Sequence, residues 1–322
     1  PVAETTSAAD IPWVKSHDPA DFTLEDLFLA NCASSLAPAG SGKALKVSVS
    51  QYEVSLPEGG GNARMETDPS YVGTFYSWFD EDGALNWLRD SLPYANNAYN
   101  HVDLNGDYGY SLGWDQNGPA SRSIYTETSY QKSVCDVFYP LYTLQAGNSV
   151  WVDEFSLEES MQDGMNEMYL PYQEQLGQAT YRVILNDDQG SSYEVYLDDN
   201  MVVKAILATS NFGVHMAALP TLVDATEVPQ IPDYSADVVD CTIIENGKEY
   251  TVPMLSNATN YIRTNPDPDT DMPDASITSD IEVTTEDGAT TSISNGAGFT
   301  ISGPTTFTVE YTLSSASAGD AS

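Results

Sequence analysis

The chain is 322 residues long, 41% hydrophobic by composition, and carries 48 acidic against 11 basic side chains, a formal net charge of −37. That length supports a sizeable core and favours two domains over one. A charge of this sign and size repels phosphate backbones and anionic lipid surfaces, which argues against nucleic acid as a partner and makes cations the natural electrostatic ones. The acidity fits a salty, acidic or extracellular setting.

No stretch approaches the roughly 20 apolar residues of a membrane span. Residues 1–20 open with PVAETTSAAD, small, polar and acidic, and read as a tether left after removal of a signal segment. The cysteines, Cys32, Cys135 and Cys241, are widely spaced and odd in number. They contain no CxxC pair and no zinc or haem spacing, so no fully paired disulfide framework is expected.

The first element is a helix from about Leu24 to Leu36. Thr23 is placed to cap it, Glu25 and Asp26 favour its positive end, and Phe22 can staple onto Leu27. Leu24, Leu27, Phe28 and Cys32 fall on one side at helical spacing, which predicts an apolar face lying on a sheet. Pro38-Ala-Gly-Ser-Gly ends the helix, and a strand follows from Leu45 to Leu56.

Between Tyr71 and Asp90 the pattern YVGTFYSWF, DEDG, ALNWLRD reads as a hairpin with an acidic turn. Aromatic residues are dense here and continue through Tyr94, Tyr99, Tyr108, Tyr110 and Trp114. Strands are predicted around Ser123–Thr128 and Val150–Leu157. The segment from Glu158 to Leu176, with Met161, Met165, Met168, Tyr169 and Leu170 near helical spacing, reads as short helices over a sheet edge.

The clearest signal lies in TYRVILNDDQGSSYEVYLDDNMVVKAILA, Thr180 to Ala208. Tyr181, Val183 and Leu185, then Tyr193, Val195 and Leu197, then Met201, Val203, Ala205 and Leu207 alternate with period two. Three antiparallel strands are predicted, with Val183, Val195 and Val203 on one covered face and the other face wet. Asp187-Asp188-Gln189-Gly190 and Asp199-Asn200 supply the turns. Pro220, Pro229 and Pro232 are then expected to break regular structure, with a domain boundary near Tyr234. Beyond it, DVVDCTIIENGKEYTVPML and DIEVTTEDGATTSIS read as hairpins and FTISGPTTFTVEYTLS as two final strands. These make a C-terminal Ig-like β-sandwich over residues 235–315, closed by a flexible tail at 316–322.

Two acidic loops are candidate metal ligands. Asp103, Asn105 and Asp107 place oxygen donors at alternate positions, as a calcium loop does, but Tyr108 stands where that loop needs glycine and Trp114 where it needs a bidentate carboxylate. Asp267, Asp269 and Asp271 also alternate, on a backbone that two prolines hold extended. Both loops are read as candidates for weak calcium binding, and no other cofactor is expected. The histidines, His17, His101 and His215, form no HExxH, and no GxSxG or phosphate-binding glycine loop occurs. No catalytic residue is therefore assigned. Tyr76, Trp78 and Trp87, with Tyr94, Tyr99, Tyr110 and Trp114, can line an apolar groove or a glycan-stacking platform.

Over residues 21–232 the order of elements resembles the LolA/LppX-type lipoprotein-carrier superfamily. The resemblance is carried by the helix TLEDLFLANCASSL, the strand LKVSVSQYEVSL, the hairpin YVGTFYSWFDEDGALNWL and the terminal meander. It implies an antiparallel sheet curled into a half-barrel, closed by helices, whose apolar interior holds acyl chains. The fold class expected is thus α+β, mainly β, with a half-barrel domain over 21–234 followed by the Ig-like domain.

The function expected is non-enzymatic binding of an apolar, lipid-like ligand outside the cytoplasm, in a secreted or surface-anchored protein. Leu24, Leu27, Phe28, Tyr76, Trp78 and Trp87 are its candidate contacts. The alternative is a surface or assembly protein whose aromatic patches meet glycans or neighbouring subunits. A hydrolase using two unrecognised carboxylates is a third reading. Charge itself yields a test: salt screens self-repulsion, so the melting temperature should rise between low and moderate ionic strength at neutral pH. Scanning calorimetry over that range checks this, and an unmoved melting temperature would refute it.

Overall fold

The computed structural model describes residues 31, 33–55, 64–102, 108–126, 149–162, 167–186, 192–210, 214–245, 247–264, 280–285, 288–294 and 296–309. Its elements run α1 (Ala33–Leu36), β1 (Lys43–Ser55), β2 (Arg64–Met65), β3 (Tyr71–Phe79), β4 (Leu85–Asp90), β5 (Asn97–Val102), β6 (Tyr108–Asp115), β7 (Gly118–Thr126) and β8 (Ser149–Glu154). Then come α2 (Leu157–Gln162), a 3-10 turn (Glu167–Tyr172), α3 (Gln173–Leu176), β9 (Tyr181–Asn186), β10 (Ser192–Leu197), β11 (Val203–Ser210) and β12 (Val214–Asp224). The last strands are β13 (Val238–Glu245), β14 (Lys248–Leu255), β15 (Thr259–Thr264), β16 (Asp280–Thr285), β17 (Thr290–Ser294) and β18 (Thr305–Val309). The chain is mainly β, and it divides into two compact units.

Unit 1 takes in Pro1–Glu81, Arg89–Ala95 and Val134–Pro229. Its strands lie in the order β3-β1-β12-β11-β10-β9-β8, all antiparallel, with β2 paired to the end of β1. The meander forms as expected: Val195 lies opposite Val183, and Leu197, two residues along the same face, lies opposite Val203. A register shift between Tyr196 and Leu197 keeps Val203 on that face but turns Ala205 and Leu207, expected beside it, to the other face, opposite Tyr196 and Glu194. The turn at this end is held by local bonds. Asp198 Oδ1 accepts from the N–H groups of Asn200 and Val202, and the Asn31 amide bonds the Met201 carbonyl and the Val203 N–H. These bonds support Met201 in the left-handed region at φ 62°.

The second face of the meander is not wet. Tyr196, Ala205 and Leu207 are buried there with Phe155, Tyr172, Leu176 and Ala179, because α2, the 3-10 turn and α3 cover it. Tyr196 mimics a surface residue in the sequence but points its ring into this core. The proline expectation also changes, since β12 runs through Pro220. Its ladder to β11 spans only Val214–Ala218, so the N–H that Pro220 lacks falls past that ladder.

Unit 2 takes in Asp82–Leu88, Asn96–Ser133 and Gln230–Ser322. β5, β6 and β7 pair antiparallel, and β15 joins β7 in parallel from Thr259↔Ser121 to Thr264↔Thr126. A second sheet has the order β14-β13-β18-β16-β17, with β13 and β18 parallel. The unit therefore differs from the expected 235–315 domain, because strands from the first half of the chain complete it. A proline cluster marks where local structure breaks; it says nothing about which distant strand a later one joins. Ile124 and Ile262 from one sheet and Cys241, Ile243, Val252 and Phe307 from the other share one core. The two expected C-terminal hairpins are present as β13–β14 and β16–β17. Of the two final strands, β18 forms, whereas Phe299 makes a single bridge to Asn260.

Asn260 is fully buried and replaces missing backbone partners. Its Nδ2 donates to the carbonyls of Leu255 (2.7 Å) and Ala258 (3.2 Å), and its Oδ1 accepts from the Leu255 N–H (2.9 Å). Replacing it with Leu leaves these groups unpaired at about 1–3 kcal/mol each. Asn260→Leu should therefore lower the unfolding free energy by several kcal/mol in urea titrations, and a loss below about 1 kcal/mol would contradict this role.

Candidate functional site

An opening in unit 1 lies beside α2. It is an open groove of about 710 Å³ lined by Phe155, Ser156, Leu157, Glu158, Met161, Gln162, Gly177 and Ala179. A smaller hollow of about 300 Å³ adjoins it, sharing Phe155 and Ser156 and adding Tyr181. α2 begins where the Ser156 hydroxyl accepts from the Glu159 N–H, and Glu158 and Glu159 sit in its first turn, at the positive end of the helix. α3 ends at Gly177, whose N–H bonds the Gln173 carbonyl. A Cβ on Gly177 would sit 3.1 Å from the Gln173 carbonyl oxygen and in ordinary contact with Leu157 Cδ2 at 3.6 Å. Met161 is 47% exposed at the rim, a large apolar side chain left to water.

Phe155 connects the groove to a polar centre beneath the helical cover. Its ring meets Tyr196 edge-on at 4.8 Å. The Tyr196 hydroxyl donates to Glu194 Oε2 at 2.5 Å and the Tyr169 hydroxyl to Oε1 at 2.8 Å, while Arg182 Nη1 stands 3.9 Å from Oε2. Burial, and then the Glu194 charge, push both phenols far above their usual range. They stay protonated and act as donors. The arrangement holds a partly buried carboxylate beside a hydrophobic core by pairing it on several sides.

His215, fully buried on β12, lies against this centre. Its ring is 6.3 Å from that of Tyr169 and 6.0 Å from that of Tyr172, its Nδ1 is 3.5 Å from Thr209 Oγ1, and its Nε2 has no hydrogen-bond partner. Burial lowers its pKa, with the Glu194 charge opposing. The folded protein thus favours neutral imidazole, and unfolding takes up a proton. Stability is full above about pH 6.5, the unfolded value, and is lost as the pH falls below it. In urea titrations from pH 7.5 to 5.5, the midpoint of the native protein should fall more than that of His215→Asn. Equal slopes would remove His215 from the account.

The sequence-derived candidates are placed as follows. Leu24, Leu27 and Phe28 lie outside the described residues, as do Asp103, Asn105, Asp107, Asp267, Asp269 and Asp271. Tyr76 is buried on β3, with Lys46 Nζ 6.0 Å from its ring, and its pKa is raised by burial and then by Asp90 and Glu227. Trp78 is half-buried on the same strand, and Trp87 is half-buried on β4. None of these three lines the groove. The groove residues were legible only as a Met-rich helical segment. Glu194 and His215 look in sequence like outward positions of alternating strands. Among the described residues, no group of three or more His, Cys, Asp or Glu is placed to hold a metal ion. No helix among them is long and apolar enough to cross a membrane.

No protein-family model matches the chain. Among curated proteins it is 25% identical over 269 residues to the ATP-binding cassette transporter abc4 of Schizosaccharomyces pombe, covering 76% of this chain and 18% of that protein. The chain thus spans under a fifth of the length of that relative. Among solved structures it is similar to a domain described as an outer membrane lipoprotein-sorting protein from Vibrio parahaemolyticus. The TM-score is 0.23 and the identity 8%, over 60% of this chain and 89% of that one.

Proposed function

We propose that unit 1 is a non-enzymatic binding module for an apolar, lipid-like ligand, which it takes into the groove between α2 and α3. The observation that carries this reading is the groove: about 710 Å³, within the usual range of small-molecule sites, with Phe155, Leu157, Met161 and Ala179 on its walls. Exposing Met161 costs hydrophobic free energy that a bound chain would recover. Methionine suits such a wall because its flexible thioether adapts to chains of different shape. In this proposal Leu24, Leu27 and Phe28 close the sheet over the ligand, and the acidic loops bind calcium weakly. The proposal also places the protein outside the cytoplasm, with unit 2 as an Ig-like β-unit.

The test is binding of the neutral probe N-phenyl-1-naphthylamine, which the negative surface does not repel. The native protein should enhance its fluorescence saturably. Met161→Glu, a change at an exposed helical position, should weaken binding at least about tenfold, the effect of roughly 1.4 kcal/mol, with the fold intact by circular dichroism. No saturable binding, or equal binding by the variant, would overturn the proposal and favour the surface-protein alternative.

A further inference from the structure

Unit 2 holds a buried cation that no carboxylate among the described residues pairs. Arg122 on β7 is 5% exposed, and its Nε and Nη1 groups have no hydrogen-bond partner. What it does have is aromatic, with one side-chain hydrogen bond to Tyr110. Its guanidinium lies 4.5 Å from the ring centroid of Tyr110, and the His101 ring stacks on that same tyrosine at 5.0 Å and 25°. Tyr99 meets Tyr110 edge-on at 6.1 Å and donates its hydroxyl to Asn86 Oδ1 at 2.6 Å, where His101 Nδ1 also approaches at 3.0 Å. The strand registers explain the gathering: His101 faces Tyr110 across β5 and β6, Tyr99 faces Leu112, and Leu112 faces Arg122.

Cation–π stacking offsets only part of what it costs to take a guanidinium out of water. In a chain with 48 acidic side chains against 11 basic ones, an internal carboxylate partner would be the easiest thing to supply. None stands there. A buried donor left unmade in this way is either met by ordered water or reserved for a ligand.

We infer that Arg122, with Tyr99, His101 and Tyr110 around it, is a binding site for a monoanionic carboxylate carried on an apolar body. One buried positive charge matches one negative charge, whereas a dianionic phosphate would bring an unmatched second charge into the same core. The rings of Tyr110 and His101 accept the apolar body by stacking. Half-exposed Tyr99, His101 and Tyr110 form the side by which the ligand enters. Because the protein is so negative, long-range repulsion slows entry of any anion, and added salt should speed it.

Benzoate is the probe, titrated against sodium chloride at constant ionic strength, with inorganic phosphate as a second arm. The melting temperature of the native protein should rise saturably with benzoate, should not respond to phosphate, and should be unmoved by benzoate in Arg122→Met. The Arg122 Nε–H resonance in a proton–nitrogen spectrum should move along the same binding curve, and it reads the native protein even where Arg122→Met fails to fold. An unmoved resonance, an equal melting response in a folded Arg122→Met, or a matching response to phosphate would overturn the inference. In the first case, water completes the bonds of Arg122.

Discussion

The ladder between β1 and β12 is the constraint on which unit 1 depends. It runs unbroken from Lys43↔Asp224 to Glu53↔Val214 and joins segments more than 160 residues apart. Because side chains alternate across a sheet, its register decides the face of every residue on both strands, and through β11 the faces of the whole meander. Val47, Ala218, Ile206, Val195 and Val183 fall on one side. Ala217, Leu207, Glu194 and His215 fall on the other. A slip of one residue would exchange the two sets and carry Glu194 away from the Tyr169 hydroxyl that pairs it. At one end of the ladder Lys43 Nζ reaches Asp224 at 2.6 Å, yet both side chains are exposed, so this pair marks the register more than it stabilises it.

That register also explains why a carboxylate is tolerated at the border of the core. Glu194 is placed on the covered face, partly buried, where it needs partners to replace lost water. Two tyrosine hydroxyls and Arg182 meet it from three elements, β9, β10 and the 3-10 turn. Tyr169 therefore ties the helical cover to the sheet by a bond that only the right packing satisfies. The groove beside α2 opens at the border of this cover, next to Phe155, so the polar centre fixes the floor of the apolar site. Binding would then require little movement of the sheet.

Sequence pattern and structure agree where the signal is local. The meander, the short helices after Glu158 and the hairpins β13–β14 and β16–β17 were legible because alternation, turn residues and helical spacing are properties of neighbouring residues. The misses are non-local. The parallel partnership of β7 with β15 leaves no mark near either strand. Burial of both faces of β10 was hidden because Tyr196 and Glu194 carry polar atoms, and a polar atom satisfied inside a core reads in sequence like one left in water. The same ambiguity conceals His215 and Arg122. Both stand at strand positions where a polar residue normally faces solvent.

The strong acidity bears differently on the two proposed ligands. An uncharged apolar molecule feels no net force from a charge of −37, so its affinity for the groove rests on apolar area and on the flexibility of Met161 and Leu157. A carboxylate approaching Arg122 must cross that field before it reaches the one local charge that favours it. Long-range repulsion is screened over about 8 Å at physiological ionic strength, while a contact inside the fold is screened far less. Salt should therefore help the anion arrive without much weakening its hold, and should leave the apolar site nearly unchanged. The charge that makes nucleic acid and anionic membrane surfaces poor partners thus acts as a filter. It should leave neutral apolar molecules unhindered and hold back anions except where a buried cation offsets the field.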